Sequence, residues 1–275
     1  ENFGLLSTME KALTFDERKK IQLEMLIEID SFCRSHNIRY AISCGTLIGA
    51  IRHKGFIPWD DDVDITMPYE DMLKFREIFK SDNLLYCDVD NSPFYEYHFS
   101  RIVNKRTYSK IGKRHIGYGI CIDLYPVIRC TKNKSYINEV LCEGNKLFNK
   151  RYNAMLFRTR LLKYFPIKEI NCKTFIKRIK DYRDFFINNL SVQGSECSYY
   201  QMGAPLNMFY KNYWDFDPFE KLIEVEFEGY SFLAPSKYDE FLTVRYGDYM
   251  KLPPEDQRVP YHGMGANDVH TLNRM

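Results

Sequence analysis

This 275-residue chain lacks several features, and each absence excludes a class of protein. No run of 18 or more residues is apolar, so the sequence offers no membrane-spanning helix. The formal net charge is only +2, which gives no bulk electrostatic sign of a nucleic-acid-binding protein, and we expect no nucleic-acid partner. We find neither an internal repeat nor a low-complexity tract.

The eight cysteines include no CxxC pair, which argues against a zinc knuckle. Cys44 and Cys121 lie in apolar, strand-like stretches, where a cysteine is usually a small buried hydrophobic residue. The sequence also shows no signal peptide. We therefore expect a reducing, cytoplasmic environment for this chain.

The composition that is present is globular, with 45% hydrophobic and 28% charged residues, and the chain is long enough to bury a substantial core. In the first region, residues 14–130, Thr14 and Glu17 have the spacing of a capping box that begins a helix, and the helical pattern ends at Asn37. Helices are also predicted at 46–54 and 68–79, and strands at 38–43, 62–67, 84–89, 95–103 and 119–127. This order predicts an α+β fold in which helices flank a mixed, partly antiparallel sheet.

The second region, residues 131–215, is predicted to be a helical insertion, because residues 135–190 lack strand signals and indicate two or three helices. Between positions 146 and 183, the only acidic residues are Glu169 and Asp181. The basic residues of that span are Lys146, Lys150, Arg151, Arg158, Arg160, Lys163, Lys168, Lys173, Lys177, Arg178, Lys180 and Arg183. The span is either a solvated helical face or a surface for anionic lipid head groups or a charged acceptor.

The third region, residues 216–275, is predicted to complete the functional site. Two strands, at 222–227 and 230–233, flank a turn at Glu228 and Gly229. A helix is predicted at 236–246, and the segment YGDYMKLPPEDQR follows it.

The segment GFIPWDDDVDITMP, residues 55–68, places four acids among apolar residues: Asp60, Asp61, Asp62 and Asp64. On a strand, Asp62 and Asp64 would project from one face while the apolar residues next to them point into the core. Two carboxylates this close repel each other unless a cation such as Mg²⁺ neutralises them. Asp60 and Asp61 either belong to the electrostatic surroundings of that site or only form the turn.

A third acid, Asp123, lies alone in the apolar stretch GICIDLYPV, residues 119–127. An acid in such a strand is costly unless it is paired or bound to a metal, so Asp123 is the candidate third ligand. The alternative is a structural aspartate that caps a loop or pairs with an arginine.

Gly45 and Thr46 follow a predicted strand and begin a predicted helix. Backbone N–H groups at a helix N-terminus bind phosphate well, and glycine allows phosphate to approach closely. The order of elements is a strand, this Gly-Thr pair, a short helix, a strand with two spaced acids, and a later strand with one acid. That order is the layout of the nucleotidyltransferase fold.

Residues 44–67, CGTLIGAIRHKGFIPWDDDVDITM, closely resemble the signature of the LicD family. This family includes bacterial phosphocholine transferases and is related to fukutin and fukutin-related protein. GICIDLYPV resembles the family's later strand, and FEGYSFLAPSKYDEFLTVRYGDYMKLPP resembles its C-terminal motif. The resemblance covers about residues 14–130 and 220–260, whereas the basic helical region matches no pattern that we can name.

The resemblance implies a nucleotidyltransferase-like fold and a divalent metal, Mg²⁺ or Mn²⁺. It also implies transfer of a phosphorylated group from a CDP-linked donor to a sugar hydroxyl of a glycan or lipid-linked glycan acceptor, with CMP leaving. By motif position, Asp62, Asp64 and Asp123 would be catalytic and would hold the metal. Asp123 would also help to remove the proton of the acceptor hydroxyl.

The same motifs supply candidate substrate-binding residues. Arg52, His53 and Lys54 would bind the diphosphate and stabilise charge on the departing CMP, unless they are only surface charges at a helix end. Trp59 would stack on a base or face a quaternary ammonium group, or else it packs the turn. Four C-terminal residues are expected to line the site from the other side: Tyr246, Asp248, Tyr249 and Arg258. His262 is expected to be solvated.

The leading prediction is a LicD-type phosphotransferase that moves phosphocholine from a CDP-linked donor to a cell-surface glycan precursor. Phosphoethanolamine, glycerol phosphate and ribitol phosphate stay open as the transferred group. One alternative is a nucleotidyltransferase that uses the same three acids and releases pyrophosphate. Another is a non-catalytic protein that only binds glycan or nucleotide, although the intact acids argue against it. The basic region adds the hypothesis of peripheral docking on an anionic membrane, at its inner face.

Overall fold

The computed structural model describes residues 11–92, 95, 97–111, 114–162, 172–194, 196–203, 206–260 and 268–271. The strands are β1 (Lys11–Ala12), β2 (Ala41–Ile42), β3 (Asp64–Pro68), β4 (Leu84–Cys87), β5 (Ser100–Asn104), β6 (Thr107–Ile111), β7 (Arg114–Tyr118), β8 (Cys121–Cys130), β9 (Ser198–Gln201), β10 (Tyr213–Trp214), β11 (Leu222–Phe227), β12 (Tyr230–Pro235) and β13 (Asp268–Thr271). The helices are α1 (Phe15–Ser35), α2 (Cys44–His53), α3 (Tyr69–Ile78), α4 (Lys134–Leu162), α5 (Cys172–Leu190) and α6 (Tyr238–Tyr246), with short 3₁₀ helices at Leu206–Asn212 and Glu255–Gln257.

The largest sheet has seven strands, and it is mixed, as the sequence predicts. The strand order is β10-β9-β8-β3-β2, and β5 connects β4 to β8. Strands β3 and β8 run parallel, whereas the other described pairings in this sheet are antiparallel. The predicted α+β fold is therefore confirmed.

Strand β8 organises this sheet because two different strands pair with the two halves of one of its edges. Residues 121–124 pair with β5, and residues 127–130 pair with β9. Strand β3 pairs along the other edge of β8. Strands β9 and β10, which come from the region between 131 and 215, therefore extend the same sheet that contains Asp64 and Asp123.

Two smaller sheets differ in how well the sequence predicts them. The predicted hairpin is present as β11 and β12, and its turn residues Glu228 and Gly229 have φ angles of 52° and 76°, which a two-residue hairpin turn requires. A second sheet has the order β1-β13-β6-β7. The sequence does not predict β6 and β7, because residues 105–118 carry many charged residues and show no alternating apolar pattern.

Helices α1 and α3 pack on the core with the faces that their sequences predict. Thr14 caps α1 in a capping box with Glu17, and Met25, Leu26 and Ile29 on its inner face are fully or almost fully buried. Pro68 is the N-cap of α3, and Met72 and Phe75 are buried. Both helices therefore cover the hydrophobic core that includes β3 and β8.

Four predicted strands are shorter in the structure than in the sequence analysis, among them the one predicted at 84–89, which comprises Leu84–Cys87. The strand predicted at 38–43 comprises only Ala41–Ile42, and that predicted at 95–103 begins at Ser100. The strand predicted at 62–67 begins at Asp64, so the alternation argument does not apply to Asp62. All five residues of β3 are buried because the strand lies between β2 and β8 under the helices, and sheet pairing rather than polarity decides where it begins.

The basic region contains two described helices, α4 and α5, as predicted. Helix α5 is attached to the core through Asp90, whose carboxylate pairs with Lys180 and Arg183 of α5 and with Arg76 of α3. The side chains of Arg151, Arg158, Arg160, Lys163, Lys168 and Lys173 lie outside the described part of the structure. Within the described residues, no helix is both long and apolar enough to cross a bilayer.

Candidate active site

The first turn of α2 lies against the loop between α2 and β3 that contains Asp60, Asp61 and Asp62, called here the acidic loop. A Cβ atom added at Gly45 would lie 2.3 Å from Oδ2 of Asp60, so only glycine allows this carboxylate to approach so closely. The N-terminus of a helix carries partial positive charge, which favours a carboxylate at this position. The sequence predicts that an anion lies close to Gly45. In this structure, that anion is the carboxylate of Asp60.

Thr46 joins α2 to the start of β3. Its hydroxyl accepts a hydrogen bond from the backbone N–H of Asp64 at 2.9 Å, and the N–H of Ser43 donates to the carbonyl of Asp64, also at 2.9 Å. Thr46 is buried. These bonds fix the position of Asp64 relative to the helix N-terminus.

Helix α1 holds the acidic loop from the other side. The ammonium group of Lys19 donates to the carbonyls of Ile57 and Pro58, each at 3.1 Å, and the amide of Gln22 donates to the carbonyl of Asp61 at 3.2 Å. Among the described residues, one group of three candidate metal ligands has oxygens within 4.8 Å of one another: Asp60, Asp61 and Asp62. Carboxylate oxygens are the ligands that Mg²⁺ and Mn²⁺ prefer.

Arg101, Asp123 and Asp64 form a row across three neighbouring strands. Arg101 of β5 lies directly opposite Asp123 of β8, and Asp123 is paired with Asp64 of β3. Residues that are paired across strands project from the same face of a sheet. The sheet therefore brings one cation and two acids together on one face.

Asp64 is the acid of this row whose hydrogen bonding is incomplete. It is only 6% exposed, and its Oδ1 atom is buried without a hydrogen-bond partner in the described part of the chain. Burial raises the pKa of Asp64 well above its ordinary value, and the neighbouring Asp62, Cys44 and Asp123 raise it further. A buried carboxylate oxygen without a donor is costly, and a divalent cation would supply the missing partner. The residues at this position therefore fit a metal ion.

Asp123 is held by an arginine, which is the pairing that the sequence left open. The guanidinium of Arg101 donates from Nε to Oδ1 at 2.6 Å and from Nη2 to Oδ2 at 3.2 Å, and the hydroxyl of Tyr125 donates to Oδ2 at 3.3 Å. A bidentate pair of this kind fixes the orientation of the carboxylate. Asp123 is thus held in one orientation on the same face as Asp64.

The C-terminal motif packs against the end of α2 and against Trp59. Arg52 donates to the backbone carbonyls of Tyr249 and Lys251. The rings of His53 and Trp59 are in edge contact at 6.3 Å between centroids, and the guanidinium of Arg258 lies 5.7 Å from the centre of the Trp59 ring. Burial and the charge of Arg52 lower the pKa of His53. The structure therefore brings Arg52, His53, Trp59 and Arg258 together.

The other predicted residues are placed differently. Lys54 is exposed and ends α2 with a left-handed backbone, and Asp248 is exposed just after α6. Tyr249 is buried and its hydroxyl donates to Asp239, so it does not face the acids. The hydroxyl end of Tyr246 lies near Cys44 and Asp64, and burial raises the pKa of that hydroxyl well above its ordinary value. His262 lies outside the described residues.

Sequence reasoning missed five residues of this site: Cys44, Arg101, Tyr125, Gln201 and Arg245. Arg245 donates to the sulfur of Cys44 at 3.2 Å, and the amide of Gln201 donates to the same sulfur at 3.6 Å. Arg245 stands directly before Tyr246 in the C-terminal motif, so the motif itself could have indicated it. Nothing local in the sequence marks Gln201, because it reaches the site through the pairing of β9 with β8.

Comparisons with known proteins agree with this geometry. The family model described as LicD/FKTN/FKRP, nucleotidyltransferase domain, matches residues 37–172. The lipopolysaccharide cholinephosphotransferase LicD of Haemophilus influenzae is 29% identical over 265 residues, which are 92% of this chain and 97% of that protein. Uncharacterized proteins of Rickettsia typhi and Rickettsia prowazekii are 35% identical over 86 residues and 27% identical over 158 residues, covering 31% and 58% of this chain and 28% and 49% of those proteins.

The fold and the site define a protein with a nucleotidyltransferase-type sheet and a cluster of acids beside a helix N-terminus. The family match spans α2, the acidic loop, β3 and β8, and it therefore includes the acidic cluster of Asp60, Asp61, Asp62, Asp64 and Asp123. The chain belongs to the LicD family.

Proposed function

We propose that this protein transfers phosphocholine from CDP-choline to a sugar hydroxyl of a cell-surface glycan precursor and releases CMP. The relative from Haemophilus influenzae, which is named for a cholinephosphotransferase activity on lipopolysaccharide, supports the proposal because it aligns with almost the whole chain. The observation that carries the proposal is the buried Asp64, whose Oδ1 lacks a hydrogen-bond partner within the described residues and which lies next to Asp62.

In this proposal Asp62, Asp64 and Asp123 hold a divalent cation, Mg²⁺ or Mn²⁺, and Asp60 and Asp61 supply further carboxylate oxygens nearby. When bound, such a cation would offset the repulsion among the acids and stabilise negative charge on the phosphates. The bidentate bond from Arg101 keeps the Asp123 carboxylate oriented on the sheet face that it shares with Asp64.

The proposed reaction exchanges one phosphorus–oxygen bond for another. The oxygen of the acceptor hydroxyl forms a bond to the phosphorus of phosphocholine, and the bond from that phosphorus to the bridging oxygen of the diphosphate breaks. CMP leaves with the electron pair of that bond. The proton of the hydroxyl passes to the Asp123 carboxylate, and Arg52 and His53 at the end of α2 bind the departing CMP.

The proposal is tested by CMP release from CDP-choline, CDP-ethanolamine, CDP-glycerol and CDP-ribitol, with a membrane or glycan extract as acceptor. Metal-dependent release from CDP-choline, abolished by EDTA, is the expected result. Release from another donor of the panel would replace phosphocholine by that donor's group. No CMP from any donor, with folded protein and active controls, would contradict the proposal.

A true nucleotidyltransferase stays the second candidate, because the matching family model carries that domain description. Such an enzyme would leave the nucleotide on the acceptor and release pyrophosphate. Incubation with labelled nucleoside triphosphates separates the two reactions: label on the acceptor supports the second candidate, and CMP release from a CDP-linked donor supports the first.

We also propose that the protein acts at the cytoplasmic face of the membrane, where α4 and α5 contact anionic lipid around a lipid-linked acceptor. The support is the basic character of the region between 146 and 183, in which Lys146, Lys150 and Arg178 are described and have no carboxylate partner within the described residues. Co-sedimentation with vesicles that contain anionic lipid is expected to weaken as salt rises. No binding even at low salt would refute this docking surface.

A further inference from the structure

Arg245 contacts Cys44 at the start of α2, although the reaction as described so far does not use it. It belongs to α6, and one end of its guanidinium, Nη1, donates to the sulfur of Cys44 at 3.2 Å and to the amide oxygen of Asn212 at 2.8 Å. Its Nε atom is buried and has no hydrogen-bond partner among the residues that the structure describes. A buried N–H donor without an acceptor is costly, and in a native structure it usually has a reason.

The partners of Arg245 distinguish it from Arg101 and Arg183, two other arginines that are only partly exposed. Arg101 binds the carboxylate of Asp123, and Arg183 binds those of Asp90 and Asp184. The two hydrogen-bond acceptors of Arg245 are instead a sulfur and an amide oxygen, neither of them a carboxylate. The positive charge of Arg245 is therefore held in place without a direct ion pair among the described residues.

Asp64 has the complementary deficiency among the described residues: its buried Oδ1 lacks a hydrogen-bond donor, whereas Nε of Arg245 lacks an acceptor. The N–H of Ser43, next to Cys44, donates to the Asp64 carbonyl and so keeps Asp64 close to the residue that Arg245 binds. Even so, these two described side chains form no direct salt bridge, although each has an unused polar atom. A ligand that offers anionic oxygens to the guanidinium and a cation to the carboxylate would satisfy both groups.

We propose that Arg245 is a substrate-binding residue whose Nε–H donates to a phosphate oxygen of the donor's diphosphate. This inference rests on the proposed function, because it assumes a nucleoside-diphosphate-linked donor. Cys44 and Asn212 are the positioning residues: they hold the far end of the guanidinium and leave Nε directed to the ligand. The guanidinium also lies over the ring of Tyr246, 5.2 Å from the ring centre, and this cation–π contact holds it from a further side.

The competing interpretation is that Arg245 only attaches α6 to the core through Asn212. The two interpretations differ in what they predict for ligands with and without phosphate. An attachment residue would affect all ligands alike through local stability, whereas a phosphate-binding residue affects only the ligands that carry phosphate. A series of cytidine, CMP, CDP and inorganic pyrophosphate therefore separates them.

The experiment measures the affinities of wild-type protein and of Arg245→Gln for this series by calorimetry in the presence of Mg²⁺. For the variant we expect CDP and pyrophosphate to bind about 10- to 100-fold more weakly and cytidine to bind unchanged, because one charge-assisted hydrogen bond is lost. Arg245→Lys keeps the charge without the Nε–H. Its affinities for CDP and pyrophosphate are therefore expected to fall between those of wild type and Arg245→Gln. Arg34→Gln, which removes an exposed arginine that pairs with Asp30 and Glu224, is the control and is expected to match wild type.

Unchanged CDP and pyrophosphate affinity in both Arg245 variants, or an equal loss for cytidine and CDP, would overturn the inference. If Arg245→Gln unfolds, the ratio of CDP to cytidine affinity in Arg245→Lys decides the question. If wild-type protein binds CDP but releases no CMP from any donor, the proposed function fails, and the binding series still tests Arg245. If wild-type protein binds neither CDP nor pyrophosphate, the inference about Arg245 fails.

Discussion

Asp90 and Asp64 are two acids with nearby cations, and they differ in how completely those cations bind them. The Asp90 carboxylate accepts from Arg183 at 2.6 Å and from Lys180 at 2.8 Å, and it also pairs with Arg76 at 3.1 Å. Asp64 is more deeply buried, and its Oδ1 has no hydrogen-bond partner in the part of the chain that the structure describes, although Arg245 is nearby. The fold thus gives Asp90 three cationic partners and leaves Oδ1 of Asp64 without a hydrogen-bond donor among the described residues.

The pKa values of the two acids shift in opposite directions for this reason. Burial alone would raise the pKa of Asp90, but hydrogen bonds from Arg183 and Lys180 outweigh it and hold the pKa well below its ordinary value. For Asp64, burial and neighbouring acids act in the same direction and raise the pKa. A satisfied acid of this kind connects helices, whereas an unsatisfied one in a crowded acidic cluster is a candidate for binding a ligand.

The largest effect is expected for Asp64→Asn. Loss of this carboxylate should lower transferase activity by about 1,000-fold or more, because a preorganised group at the reacting phosphate is lost. The melting temperature should stay the same or rise, since the variant removes a buried charge that has no partner. Activity within about tenfold of wild type in a folded variant would show that Asp64 does not belong to the catalytic centre.

Gly45→Ala is expected to have a smaller effect on activity. The new methyl group would lie 2.3 Å from Oδ2 of Asp60 and would displace the acidic loop. Because small displacements of catalytic groups are costly, we expect a loss of about 10- to 100-fold in CMP release. The double variant Gly45→Ala/Asp60→Ala removes the steric conflict, so the two substitutions should be clearly non-additive. If the effects of the two substitutions simply add, the contact with Asp60 is not the cause of the activity loss in Gly45→Ala.

Asp90→Asn should affect stability and leave the reaction almost unchanged. The substitution leaves Arg183, Lys180 and Arg76 without their shared anion, and we expect the free energy of unfolding to fall by about 1–2 kcal/mol, a modest value because the cluster is partly exposed. Urea unfolding measures this loss, and the activity per folded molecule should stay close to that of wild type. A loss of activity without a loss of stability would reverse the roles that we assign to the two acids.

The smallest effect is a difference in the pH dependence of stability, measured on metal-free protein. Because the pKa of Asp90 is lower in the folded protein than in the unfolded chain, its contribution is present above about pH 4 and is lost as the pH falls through the folded-state value. Asp64 has the opposite sign: its raised pKa makes the folded protein less stable as the pH rises through the folded-state value.

Melting temperatures between about pH 3 and pH 7 test both signs. The melting temperature of Asp90→Asn should approach that of wild type towards low pH. The melting temperature of Asp64→Asn should rise relative to that of wild type towards high pH. The same slope for both variants would contradict the directions of the two pKa shifts.

Local patterns in the sequence determined much of the fold and part of the site. The capping box of Thr14 and Glu17, the turn at Glu228 and Gly229, and the helical face of α3 each depend on neighbouring residues, and each is present in the structure. The motif CGTLIGAIRHKGFIPWDDDVDITM was sufficient to indicate the family and the acidic cluster for the same reason. A short segment carries both the helix N-terminus and the acids, and its chemistry can be inferred without the rest of the chain.

Only the tertiary structure decided how the charges are paired. Arg101 reaches Asp123 because β5 pairs with β8, and Arg245 reaches Cys44 from 201 positions away because α6 packs on the core. The same packing gives Asp90 its three cations from α3 and α5 and leaves Oδ1 of Asp64 without a hydrogen-bond partner among the described residues. Sequence periodicity indicates which face of an element is buried, but contacts between distant segments depend on how the elements pack together, and no local pattern specifies them.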